Sequence, residues 1–228
     1  MHTNEQLQER GMLRSGGLAG VVGGVLFLVV FAIVIRFVGT EALAATDGER
    51  WVQRFPDIRV ARTVENTLYL VALMLWMAHF VALYRALRAT GLALLGTVLG
   101  IAGLVVLAAG ALPHVATGPI SDLYHAPGAT PEEQATLALM WEATQGIFDA
   151  LLLVGLVLLP TALICLGVAM FAAPAYGKGL GGLTVALGSV GLAAAAIAVV
   201  DPPSPIAAVG VFALIAFHLA VGWRTHRA

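Results

Sequence analysis

The chain has 228 residues, of which 60% are hydrophobic and 11% charged, and its net charge is −1. Soluble domains carry about a quarter charged residues, so this chain has too little polar surface to cover a particle in water, and the expected solvent is lipid. No basic excess is present to support nucleic-acid binding, and one cysteine, Cys165, forms neither an internal disulfide nor a thiolate cage.

Lys178 is the only lysine, while Ala, Gly and Arg are plentiful. This is the composition of a GC-rich bacterium. A polar N-terminal stretch with Arg10 and Arg14 precedes an apolar run from Leu18 to Ile35. That run is longer than a signal-peptide core, so an uncleaved first helix is expected, although Thr40 to Ala45 has the small residues of a cleavage site. Gly16, Gly20 and Gly24 fall on one helix face, where another backbone can approach closely.

Thr40 to Arg62 is polar, carries both charge signs and reads as a long loop. Val64 to Leu83 and Gly91 to Leu112 are apolar runs joined by the basic turn Tyr84-Arg85-Ala86-Leu87-Arg88. Pro113 to Pro131 reads as a second, irregular loop because of its prolines. Thr130-Pro131-Glu132-Glu133 then predicts a helix start with a capping box. The helix is predicted to run to Phe171. Its length of about 60 Å is twice the hydrocarbon thickness, so it projects from the membrane or breaks. Its second half, from Ala150, is the fourth span, with a kink expected at Pro160. A turn at Pro174–Lys178 leads to a fifth span, Gly179 to Val200. The rigid turn Asp201-Pro202-Pro203-Ser204-Pro205 leads to a sixth, Ile206 to Trp223.

The expected fold is therefore all-α, one transmembrane domain of six helices in three hairpins, with spans near 17–38, 64–84, 91–112, 150–172, 179–200 and 206–223. Gly91-Leu92, Leu95, Leu99-Gly100 and Gly103-Leu104 recur as Gly179-Leu180, Leu183, Leu187-Gly188 and Gly191-Leu192, as a repeated hairpin requires. Arg10, Arg14, Arg85, Arg88, Lys178, Arg224 and Arg227 gather on the side of both termini. The positive-inside rule then places the termini in the cytoplasm, at an inner membrane. Arg50, Arg54, Arg59 and Arg62 lie on the opposite side and count against it. Trp51, Trp141 and Trp223 suit interfacial depths.

Ionisable groups within spans raise functional hypotheses. His79 and His218 each lie six residues before a cytoplasmic arginine, Arg85 and Arg224, so they sit at matching depth. If their helices touch, the pair is placed to ligate haem or a metal or to relay protons. Alternatively, each ring bonds a local hydroxyl or carbonyl. At the outer face Glu65, Asn66, His114, Asp122, His125, Glu142, Asp149 and Asp201 form a possible acidic pocket for a divalent cation or an amine, or for a metal-activated water. Asp149, flanked by Phe148 and Leu151, is expected to be its buried member. No fixed catalytic spacing is present.

The Gly-rich first span, Leu83-Tyr84-Arg85-Ala86-Leu87, the Gly-Leu-Ala third span and the Pro174-Ala-Tyr-Gly-Lys-Gly-Leu-Gly-Gly-Leu segment together resemble bacterial six-helix membrane proteins of domain of unknown function 4386. The resemblance implies the same architecture and carries no catalytic residue with it. Function is expected to be non-enzymatic: binding of a small apolar or amphipathic molecule, or service as an accessory subunit. The Gly-lined faces also allow a homodimer or a membrane-complex partner. A haem or metal protein, redox or hydrolytic, is the alternative.

Overall fold

The computed structural model describes residues 2–39, 47–87, 90–201 and 205–227, with side chains from residue 7 onward. Thr40 to Ala45, Arg88 and Pro202 to Ser204, named above, lie outside the described residues. Among the described residues the chain forms six α-helices and no strand: α1 His2–Ile33, α2 Gly48–Ala86, α3 Gly91–Tyr124, α4 Pro131–Phe171, α5 Gly177–Val200 and α6 Ala207–Arg227. A π-helical turn, Val34–Val38, extends α1. All six are long and apolar enough to cross a membrane. The outer surface is accordingly apolar, with Val200 at 85% exposure and Leu112 at 68%, which suits lipid contact and not water.

Each helix packs on its neighbours in the sequence, and α1 also packs on α6, which closes a ring. α2, α4 and α6 touch one another across the middle. The odd-numbered helices therefore seat in the grooves between the even-numbered ones, and the three expected hairpins are the repeating unit. Glycine makes this seating possible. A Cβ on Gly96 would sit 2.7 Å from the Leu166 side chain of α4, and one on Gly100 2.6 Å from Phe80 of α2. Gly188 of α5 would meet the Pro160 carbonyl at 2.7 Å. The glycines of α1 divide between two partners: Gly16 and Gly20 meet Ala82 and His79 of α2, and Gly24 meets Leu219 of α6.

Most of the described part of the two expected loops is helical instead, and only 125–130 keeps the irregular turn. Gly48–Arg62 is the first third of α2, and Pro113–Tyr124 is the end of α3. Pro56, Pro113 and Pro119 are accommodated inside helices, as neighbouring groups in a bundle allow. Burial outweighs the proline cost here. Trp51, Val52, Phe55 and Ile58 of α2 form a second core with Ile120 and Tyr124 of α3 and Trp141 of α4. Trp51 and Trp141 are thus core residues, not interfacial anchors, whereas Trp223 is exposed and carries Arg227 over its ring at 4.2 Å. This core caps the end of the bundle remote from the termini, here called the distal end.

The capping box at Thr130 forms as expected: Glu133 N–H donates to the Thr130 hydroxyl, and Thr130 N–H donates to the Glu133 carboxylate at 2.8 Å. α4 runs unbroken to Phe171 and so projects beyond the hydrocarbon. Gly188→Ala should cost about 1–3 kcal/mol, because the new methyl meets backbone that cannot yield. Gly182→Ala, with open space around it, should be neutral or stabilising by up to about 1 kcal/mol. Thermal unfolding of both variants in detergent checks this contrast.

Candidate functional site

Two polar sites lie inside this frame. The first joins α2 to α6. His79 and His218 are fully buried, and their Nδ1 atoms are 2.8 Å apart. The depth match read from the two arginines therefore corresponds to a direct hydrogen bond. In the neutral pair one ring donates its Nδ1–H and the other accepts, so the two rings are opposite tautomers. One Nε2 then carries a proton and the other a lone pair, and both are buried without a partner. The Trp76 indole nitrogen is equally unpartnered. Aromatic faces surround the pair: Trp76 stacks on His218 with centroids 4.1 Å apart, and Phe27 of α1 stacks on Trp76 at 4.8 Å. Gly20 and Gly23 cover the site, since a Cβ on either would lie 2.6 Å from His79 or Trp76.

This arrangement does not fit haem. Two metal–nitrogen bonds of about 2 Å on opposite faces of a porphyrin need nitrogens about 4 Å apart with the macrocycle between them. Here the nitrogens face each other at 2.8 Å with no gap for a ring. Among the described residues no three His, Cys, Asp or Glu side chains come close enough to share a metal ion. Among the described residues, the histidine pair is therefore not built for haem and no three-ligand metal site is present.

The second site is at the distal end, between α2, α3 and α4. It is a cavity of about 380 Å³, within the size range of small-molecule pockets. Phe55, Leu70, Val115 and Trp141 supply apolar wall, and Arg59, Arg62, Asn66, His114 and Gln145 supply polar groups. Arg62 donates to Glu65 at 3.0 Å, and Arg59 forms an ion pair with Asp122. His114 stacks on Phe148 at 4.2 Å, and Gln145 donates to Asp149 at 3.1 Å. Pro119 has no N–H, so the carbonyl of Val115, a wall residue, lacks its usual helical donor.

The expected acidic pocket does not form. Asn66 and His114 do line the cavity, but Glu65, Glu142 and Asp149 do not. Glu142 accepts from the Gly48 backbone N–H at 2.9 Å and so closes the start of α2. Glu65 is buried but faces Arg62. Asp149 is exposed and accepts from Gln145, in contrast to the burial expected from its flanks. Among the residues outside the cavity, Asp122 is the partner of Arg59, His125 bonds the Ser121 carbonyl, and Asp201 is exposed at the end of α5.

The wall residues that sequence reading missed include Phe55, Arg59, Arg62, Trp141 and Gln145. Phe55, Arg59, Arg62, Asn66 and Leu70 follow helical spacing, a signal that is visible only once 48–62 is taken as helix. A larger, shallow depression of about 600 Å³ lies over the α3–α4 turn. Its Glu133 is committed to the capping box, so the smaller cavity is the better binding candidate.

No match to a protein family, to a curated protein or to a solved structure was found for this chain.

His79→Leu and His218→Leu should each destabilise the fold by about 1–3 kcal/mol, because each leaves a buried partner nitrogen unpaired. The double variant should cost less than the sum, with a coupling of about 0.6–1.7 kcal/mol. A double-mutant cycle of unfolding in mixed micelles measures this, and additive losses would count against the bond.

Proposed function

We propose that this protein binds a small amphipathic molecule in the distal pocket and does not transform it chemically. The supporting observation is the 380 Å³ cavity, whose aromatic and aliphatic wall carries a few convergent polar groups. This is the usual composition of a site that recognises a ligand by shape and orients it by hydrogen bonds. The polar groups are arginines, amides, a histidine and three threonines whose hydroxyls donate to backbone carbonyls of their own helices. None of them is arranged as a nucleophile held by a base.

We place the chain in a bacterial cytoplasmic membrane with both termini in the cytoplasm. The basis is the arginine and lysine count at the end bearing the termini. The pocket then faces the outer side. The resemblance to the six-helix family is kept as part of this proposal and rests on the motifs quoted for it.

Gly118→Leu tests the reading. Gly118 lines the cavity and has only the Phe55 ring, at 3.9 Å, near its missing Cβ. A leucine there should fill the cavity without disturbing the backbone. Native mass spectrometry of protein extracted from membranes should show a small-molecule adduct of fixed mass on the wild type and none on Gly118→Leu. Unfolding stability should change by no more than about 0.5 kcal/mol. An adduct that survives Gly118→Leu, or its absence from both proteins, would remove the proposal.

A further inference from the structure

We infer that the molecule taken by the distal pocket is an amphiphile with an anionic head and a single apolar tail, entering sideways from the lipid. This inference rests on the proposed binding function and adds the sign of the charge. Four carboxylates surround the pocket, Glu65, Asp122, Glu142 and Asp149, and none lines it. Each is already engaged, Glu65, Asp122 and Asp149 by the wall residues Arg62, Arg59 and Gln145, and Glu142 by the Gly48 N–H. The wall itself presents two guanidinium groups and neutral polar groups. The divalent cation or amine expected from the sequence would thus find no carboxylate on the wall.

The arginines retain donors for an anion. A guanidinium has five N–H bonds. Arg62 gives one nitrogen, Nη1, to Glu65. Arg59 gives both Nη atoms to Asp122, while its Nε is buried and has no partner. Arg62, one helical turn on, keeps nitrogens beyond Nη1 beside that orphaned N–H, and these are the donors left for an oxyanion. Such charge-assisted bonds are stronger than neutral ones. Arg59 also lies over the Phe55 ring at 5.5 Å, which fixes the plane of its head group.

The route follows from exposure. Thr63 and Thr67 of α2 and Val115 of α3, all on the cavity wall, are exposed on the flank of the bundle. Val64 and Val71 of α2 and Leu112 of α3, all exposed, lie along the same two helices toward the membrane interior. A tail leaving between α2 and α3 therefore meets apolar side chains and then hydrocarbon. The arginines, just before the apolar run that begins at Val64, hold the head at interfacial depth. A cavity of this size takes the head and the first methylenes, and the rest of the chain stays in the bilayer.

The test uses the full chain in nanodiscs of phosphatidylcholine. Four probes share one oleyl tail: oleate, oleyl phosphate, oleyl alcohol and oleylamine. Both anions should bind at least about tenfold tighter than the alcohol, a difference of about 1.4 kcal/mol, with the amine weakest. The order of the two anions then separates a free carboxylic acid from a lipid phosphate as the natural head. Arg59→Gln should erase most of the preference. Because Arg62→Gln alone would strand the buried Glu65, it is paired with Glu65→Gln, and this double variant should act likewise. Equal binding of alcohol and anions, abolished by Gly118→Leu, would overturn the charge inference and leave the pocket reading standing. Tighter binding of the amine would also overturn it. Failure of every probe to bind would remove both.

Discussion

Backbone-to-backbone closeness is the constraint on which this bundle depends. In lipid, apolar side chains gain little by leaving one hydrocarbon surroundings for another, so helices associate where they pack tightly. Here glycine supplies that closeness. A Cβ on Gly222 would sit 2.8 Å from the Gly17 carbonyl, and one on Gly181 2.9 Å from that of Gly167. The same economy of space builds the polar sites. Gly20 and Gly23 let α1 lie flat on His79 and Trp76, which keeps the histidine pair dry. Gly48 lets the start of α2 reach Glu142 on α4, which sets the helix that carries Arg59 and Arg62.

The two polar sites represent different solutions to burying polarity. At the histidine pair the polar atoms satisfy each other once, and the outer nitrogens stay unpartnered within an aromatic stack. That is a costly arrangement, since the neighbouring rings and glycines offer those nitrogens no partner. At the distal end the two arginines of the wall are paired with Asp122 and Glu65, and the cavity beside them opens on the flank of the bundle. The first site fastens helices together, and the second leaves room for something else.

Much of the fold is legible in the sequence because lipid imposes a simple rule: a spanning segment is a long apolar helix. The Thr130 capping box and the length of α4 can be read directly, since both depend on residues within one stretch. The histidine pair is legible through depth alone, as the two arginines serve as rulers. The helical character of 48–62 and 113–124 is not. Local proline and charge argue for loops there, and what makes these segments helical is the meeting of Phe55, Ile120 and Trp141, residues far apart in the chain. Taking them as loops hides the stripe from Phe55 to Leu70 and credits the carboxylates with a pocket that the arginines line.

The closure of the ring by α1 and α6 has a consequence in time. α1 finds one of its two partners in α6, far later in the chain. His79 waits for a ring 139 residues further along the chain, roughly ten seconds of translation at ordinary speeds. During that interval α1 and α2 stand in the bilayer with an unpaired imidazole and a bare glycine groove. Until α6 arrives, that surface stays polar and half-open. Packing of α6 buries the imidazole and fills the groove together.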